Sequence, residues 1–379
     1  MELIVGTYGE RLILLELGIG SFDVLGYSVF RADNTSCLAL SPDRRFLFAV
    51  SECGDDSGVY SFLVHPYDRL EALPNGRIER RSEVRGTSPD PCHILYIPGY
   101  YNQCGDPDNG ALLTADYSGG TISVFPVKDG RISPATQVVR FEGSGPVPER
   151  QTAPHIHHLV QHGNFLLAAD LGADCIRVLR MFDSTVRPLC DKRLSRELRL
   201  EHIFDVPCPV GSGPRHIVID HSGSHFYVIT ELNNEILVYS LPDFTKPDDR
   251  PALLQRLAVG DVSYPTQAGG DIQLSPDGRH VYASLRNGGD GLVIAEVQPD
   301  GLLRQTGYQP TGAHVRDFLF LPEGLPPGEH MAVFCKNSRC IQLWKRKAAD
   351  GSLTLVREIP FSEFQGEPVF GVPYSVSKW

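Results

Sequence analysis

The sequence predicts an all-β chain, a single seven-bladed β-propeller over residues 1–379, closed by pairing of its N- and C-terminal strands. The first observation behind this is repetition. An apolar strand, a tight turn rich in Ser, Pro, Asp and Gly, a second apolar strand, a short polar loop and a third β-rich strand recur along the chain, and such a period marks a blade or solenoid unit. The second is composition. Val, Ile, Leu, Phe and Tyr fill the segments between SPDG-type turns, which argues for strands, and helical periodicity is nearly absent. The third is that both ends read as strand, MELIVGTYGE at the start and PVFGVPYSVSKW (368–379) at the finish, so that the two can share a blade. Two separate β-sandwiches would leave the regular recurrence unexplained.

Taken in order, LIVGTYGERLILLEL opens the first unit and LALSPDRRFLFAVSE, from Leu38, the second. Units three and four begin at His93 (HILYIPG) and His155 (HIHHLVQHGNFLLAADLGADCIRVLRM). Units five, six and seven begin at His216 (HIVIDHSGSHFYVITELNNEILVYSL), Asp271 (DIQLSPDGRHVYASLRNGGDGLVIAEV) and Asp317 (DFLFLPEG). Their second strands end near Tyr8, Ser51, Asp116, Asp170, Glu231, Arg286 and Lys336, at intervals of 43 to 65 residues that each suit one four-stranded blade. The run GYYNQCGDPDNG (99–110) is a polar insertion in a blade hairpin, and 142–152 and 245–251 are loops; none has the length or composition of an interdomain linker. One short helical turn is expected at LSRELRLEHIF (194–204).

Composition narrows the function. With 41% hydrophobic and 21% charged residues the chain can bury a sizeable core, and no run approaches the roughly 20 apolar residues of a membrane helix, so no membrane partner is expected. The 35 Lys and Arg against 46 Asp and Glu leave a formal charge of −11, which repels polyanions and argues against nucleic acid. The N-terminal segment has no basic stretch ahead of an apolar one, so a cytoplasmic location is expected. The nine cysteines (37, 53, 92, 104, 175, 190, 208, 335 and 340) form no CxxC pair and no framework spacing, and reduced, mostly buried thiols follow.

Propeller geometry converts the repeats into a site. In a blade the innermost strand starts at one face and the second strand returns to it, so the starts of first strands and the ends of second strands share one mouth of the central channel. The first group comprises His93, His155, Arg215 with His216, Asp271, and Arg316 with Asp317; the second comprises Glu52, Asp116, Asp170, Glu231, Arg286 and Lys336. The opposite mouth receives the SPD and HSG turns, with the composition of plain hairpins. Polar rims occur in any propeller, so particular residues must carry the functional case.

GSGPRH (211–216) with Glu231 is the sharpest of these: sixteen residues separate Arg215 from Glu231, the span of one hairpin. Such an Arg–Glu pair can be structural, yet a guanidinium is also the usual bidentate reader of carboxylate or phosphate. Arg286 in SLRNGG faces the channel from the next blade, and two arginines converging in an acidic protein suit an anion. Gly213 and Pro214 set the loop and allow a ligand to approach. His155 and His157 of PHIHH project from one side of their strand. For His155 the choice lies between a general base and a structural histidine, with the base preferred; for His157 and His158 the structural role is preferred. A His-x-His pair is half of a metal site, but no further ligand stands at metal spacing, so no metal is expected. No nucleophile elbow, P-loop or dinucleotide fingerprint occurs, and no cofactor is expected.

GTYG (6–9), SPDRRFLFAV, the histidine heading PHIHH with DLGADCIRV, GSGPRH with ITELNNEI, SPDGRHVYASLR, and VRDF (315–318) together resemble the seven-bladed lactonase family. That family includes the propeller type of 6-phosphogluconolactonase and the fungal carboxy-cis,cis-muconate cyclase. The resemblance spans essentially all blades. It implies a cofactor-free lactone hydrolase, or a lactonising cycloisomerase running the same chemistry in reverse, acting on a small anionic lactone or carboxylate. Its functional positions match His155, Arg215, Glu231 and Arg286, the same residues that blade geometry collects. On this reading His155 activates water or moves a proton to the ring oxygen, the arginines hold the anionic end and the developing oxyanion, and Glu231 orients Arg215 or shares the acid–base work. His157, His216, Arg316, Asp170 and Glu52 are expected to line the substrate. Asp116 and His314-Val315 depart from the family's usual Asn and Pro at two points near the mouth. The rival class, a non-catalytic protein-binding propeller, is disfavoured because the blades lack a regular WD signature and the ionisable residues gather at one mouth.

Overall fold

The computed structural model describes residues 1–65, 77–99, 109–186, 195–246, 248–322 and 328–374. It is a ring of seven antiparallel sheets. Apart from short 3-10 turns at Gly54–Asp56 and Ser362–Phe364, the described elements are all strands. Blade one takes its innermost strand, Glu367–Pro373, from the C-terminal part of the chain and its other three from Glu2–Tyr8, Arg11–Leu17 and Val24–Arg31. The expected closure is therefore present, with Ile4 opposite Val372 and Tyr8 opposite Glu367. Residues 375–379 of the terminal segment lie outside the described residues. Blades two and four to seven have four strands each, and blade three adds a short fifth.

The second strand of blade four, Phe165–Asp170, shows why the strands read as unbroken apolar runs. Leu166 and Ala168 face blade three, while Leu167 and Ala169 face blade five. Because alternate residues of a strand point to opposite faces, a sheet sandwiched between two neighbours needs apolar residues in both phases. Seven apolar clusters result, one at each junction between adjacent blades. The core is thus distributed around the ring, and the axis is left for polar side chains.

The SPD turns repeat in atomic detail. Ser275 Oγ donates to Asp277 Oδ1 (2.6 Å) and accepts from the His280 amide (3.0 Å); Ser41 makes the same contacts with Asp43 and Phe46 at 2.6 and 2.9 Å. The helical turn expected at 194–204 is absent: Ser195–Pro207 is a strand paired along its length with Cys175–Val186, and edge pairing overrides the weak local preference. The insertion at 99–110 falls mostly outside the described residues, as do Cys104 and Cys190. The other seven cysteines are free thiols, and all but the half-buried Cys53 are buried. No helix among the described residues is long and apolar enough to cross a membrane.

Candidate active site at the channel mouth

The innermost strands begin at one mouth, and there the ladder breaks in a repeated way. Pairing with the second strand slips between Pro91 and His93, Ile156 and His158, Pro214 and His216, Gly269 and Ile272, and Val315 and Asp317. In blade one the slip leaves Val369 as the extra residue. A β-bulge re-aims the side chain of its extra residue. Here Cys92, His157, Arg215, Arg316 and Val369 all turn to the axis and line one small cavity at the neck of the channel, with room for about one water molecule. The bulges also explain how sequence neighbours such as Arg215 and His216, or Arg316 and Asp317, reach the same channel, which a regular strand would forbid.

Above the neck, Glu231 is the hub. Its Oε2 accepts hydrogen bonds from Arg215 Nε (3.0 Å) and Arg286 Nη2 (2.5 Å), and its Oε1 accepts one from Arg150 Nη2 (2.6 Å). Arg215 and Arg286 are further tied to the carbonyls of Gly270 (2.7 Å) and Gly269 (3.3 Å). Burial alone would raise the Glu231 pKa, but Arg286, Arg215 and Arg150 outweigh it and hold the carboxyl at about 2. Burial and repulsion from Arg286 lower Arg215 to about 9, against the pull of Glu231, which leaves it cationic at neutral pH. Glu231 is therefore a permanent anion that clamps three cations and has no proton to give near neutrality.

His155 lies beside this cluster. Its Nδ1 is 2.8 Å from the carbonyl oxygen of Tyr117, and its ring stacks on the Tyr117 ring at 4.4 Å and 11°. A carbonyl only accepts, so Nδ1 carries a proton, and in the neutral ring the lone pair is on Nε2. The backbone of His155 is pinned as well: its amide donates to Asp170 Oδ1 (2.9 Å), and its carbonyl accepts from the Leu171 amide (2.9 Å). The Tyr117 hydroxyl accepts from Arg150 Nη2 (3.0 Å), which joins the imidazole to the arginine cluster in one contact chain.

The other expected residues divide. Glu52 is at the mouth, accepting from the Tyr8 hydroxyl (2.8 Å) and Arg316 Nη2 (3.5 Å), with the Arg316 guanidinium over the Tyr8 ring at 4.9 Å. His157 and His216 lie deeper, in the neck with His93 and His158, their rings 4.1–6.4 Å apart. Burial first, then the nearby cations, drive His157 and His216 well below the usual histidine range, so both are neutral. His216 donates from Nδ1 to Asp271 Oδ1 (2.7 Å). Asp271 shares a hydrogen bond with Asp317, and burial raises both carboxyls.

Asp170 is corrected by the structure from a substrate-lining residue to a support. It is fully buried, with Oδ2 taken by Arg177 (3.0 and 2.8 Å) and Oδ1 by the backbone amides of His155 and Ala173 (2.9 and 3.1 Å). Asp116, likewise fully buried, accepts from the hydroxyls of Thr114, Thr121 and Ser123 at 2.7, 2.8 and 2.7 Å. The pairing register gives the reason. Asp116 and Asp170 stand opposite Pro91 and Ile156, as Thr230 stands opposite Pro214, so it is Tyr117 and Leu171 that correspond to Glu231, and an offset of one residue reverses the side. Gly213 has φ +59° and its position for a Cβ meets Leu232 and Leu171, so the close approach it allows is to the protein itself. The sequence reading missed Tyr8, Tyr117 and Arg150. Tyr8 is itself the end of a second strand, and Tyr117 follows from the blade rule once the residue after the second strand is counted; Arg150 sits in an irregular loop with no repeat to align. No group of three or more His, Cys, Asp or Glu among the described residues could hold a metal ion.

A closed seven-bladed ring with its bulged, ionisable residues turned to one mouth is the architecture of a recognised class. Residues 2–364 match the family described as "Lactonase, 7-bladed beta-propeller", and the chain belongs to that family. Its relatives include the 6-phosphogluconolactonases of Formosa agariphila, 26% identical over 328 residues that cover 84% of this chain and 83% of that protein, and of Bacillus subtilis, 27% identical over 329 residues, with 85% and 83% covered. Among solved structures, the periplasmic gluconolactonase of Pseudomonas aeruginosa superposes with a TM-score of 0.78 at 26% identity, with 98% of both chains covered.

Proposed function

We propose that this protein is a cofactor-free lactonase that hydrolyses an anionic sugar lactone of the 6-phosphogluconolactone kind at the mouth described above. The observation that carries the reading is the pairing of a histidine whose tautomer is set by the Tyr117 carbonyl with a cluster of three arginines on one carboxylate. His155 Nε2 takes a proton from water as the water oxygen bonds to the lactone carbonyl carbon. The carbonyl oxygen becomes an oxyanion, and Arg215 Nη2 and Arg286 Nη1 are donors left over from the Glu231 clamp to receive it. Collapse breaks the bond from carbonyl carbon to ring oxygen, His155 returns its proton to that oxygen, and an open-chain hydroxy acid leaves. Glu231 orients the arginines and, ionised throughout, takes no part in proton transfer. Reduced thiols fit a cytoplasmic setting.

Hydrolysis of 6-phosphoglucono-δ-lactone and glucono-δ-lactone, followed by acid release against the spontaneous rate, tests the reading. Enzymatic hydrolysis of at least one is expected. No acceleration of either, together with turnover of a carboxymuconate, would transfer the site to lactonisation, and no turnover of any would overturn an enzymatic role for this mouth.

A further inference from the structure

We infer that Arg150 is a specificity-determining residue, reading the charge at the far end of the substrate, and that a hydrogen bond between Gln151 and Asp174 sets its reach. This deepens the lactonase reading and rests on it. The three arginines on Glu231 are not equivalent. The side chains of Arg215 and Arg286 are only 1% and 7% exposed, whereas that of Arg150 is 37% exposed. Arg215 and Arg286 also spend donors on backbone carbonyls inside the channel wall. Arg150 engages Glu231 and Tyr117 through Nη2 alone, and its Nε and Nη1 remain for a group arriving from solvent. Tyr117 links the two, stacking on His155 and accepting from Arg150, so on this proposal a lactone bound with its carbonyl at His155 directs its far end to Arg150. A phosphate or carboxylate at that end would meet a guanidinium already held in place.

Arg150 has no sheet to position it. Its loop, 142–152, turns on Val147, whose carbonyl accepts from the amides of Arg150 (3.0 Å) and Gln151 (2.8 Å). The next side chain anchors it: Gln151 is fully buried, and its Nε2 donates to the Leu171 carbonyl and to Asp174 Oδ1, both at 2.8 Å. The same Asp174 carboxylate accepts from the amides of Gly213 (2.8 Å) and Gly211 (2.6 Å), in the loop that leads into Arg215. One carboxylate thus joins the loop of the outer arginine to the loop of the inner one. Asp174 and Gln151 are positioning residues, and Arg150 is the contact.

The test compares wild type with Arg150→Gln, Arg150→Lys and Gln151→Ala. Two readouts are taken: kcat/KM on the phosphorylated and unphosphorylated gluconolactones, and equilibrium binding of 6-phosphogluconate and of gluconate, which needs no turnover. Arg150→Gln should cut the phosphorylated-to-unphosphorylated ratio of kcat/KM by about 10- to 100-fold, the range of one charge-assisted hydrogen bond, mainly through KM, and should weaken 6-phosphogluconate more than gluconate. Arg150→Lys should restore part of the ratio, and Gln151→Ala should lower it by a smaller factor at an unchanged preference for pH. If wild type hydrolyses neither lactone but binds 6-phosphogluconate through Arg150, the catalytic reading falls and only the anion contact at Arg150 is supported. Equal losses on both substrates, a change confined to kcat, or binding indifferent to Arg150 would overturn it.

Discussion

His155 and Glu231 make opposite demands on their surroundings. As the base proposed above, His155 must keep a lone pair, and the Tyr117 carbonyl, which holds a proton on Nδ1, leaves that lone pair to Nε2. His155→Asn should reduce turnover by about 10²–10⁴-fold with the melting temperature close to that of wild type; loss of stability with turnover retained in the folded fraction would make His155 a strand bridge. Glu231 instead must stay charged. Its carboxyl sits at about 2 in the fold against an ordinary 4.5, so its folded-state pKa is depressed, and the stability it contributes is present above pH 4.5 and lost as pH falls toward 2. Glu231→Gln, which leaves buried arginines without their anion, should lower stability by about 3–5 kcal/mol at neutral pH. The gap to wild type should close on acidification through that window, as followed by thermal melts at several pH values. A gap independent of pH would show that the carboxylate's charge is not what stabilises the cluster.

Each blade separates its two ends by the run of its hairpin. The SPDG turn of blade six lies at the end opposite the candidate site, where Asp277 accepts from Arg346 Nη2 at 2.8 and 2.9 Å. Asp277 is therefore more than a turn residue: it partners an arginine that is 4% exposed. Asp277→Ala should cost about 1–3 kcal/mol, the penalty of leaving a buried donor unsatisfied, and kcat/KM of the folded enzyme should remain within about twofold, since among the described residues its hydrogen bonds are with Ser275, Arg279 and Arg346 at its own end of the blade. Chemical denaturation and steady-state kinetics on one preparation check both halves. A matching fall in kcat/KM would mean that the two ends of a blade are mechanically linked.

For the molecule as a whole, net charge and local charge disagree in sign. The chain carries −11, yet the mouth assembles Arg150, Arg215, Arg286, Arg316 and Lys336 against Glu231, Glu52 and Glu367. An anion approaching elsewhere is repelled, and at the mouth it is drawn in. Because the Debye length shrinks from about 30 Å at 0.01 M salt to about 8 Å at 0.15 M, kcat/KM for a phosphorylated lactone should fall several-fold over that range while that for an uncharged lactone changes little. Equal salt sensitivity for the two would remove attraction at the mouth from the account.

Blade number, ring closure and the gathering of ionisable residues at one mouth were legible in the order of residues. They rest on period and alternation, which are local, and on the requirement that a sheet lying between two others be apolar in both phases, as FLLAAD at 165–170 is. His155, Arg215, Glu231 and Arg286 could be collected for the same reason, as ends of repeating strands. What lay beyond reach depended on single-residue offsets and on loops. The bulges between Pro91 and His93 and between Ile156 and His158 shift register by one residue, and that offset takes Asp116 and Asp170 out of the mouth and puts Tyr117 there instead; hydrophobic period does not resolve a step that small. Arg150 reaches Glu231 across 81 residues of sequence from a loop with no period at all, held by a buried glutamine and an aspartate from the next blade. Strand alternation is written residue by residue, whereas a contact between two loops exists only once the ring has closed around them.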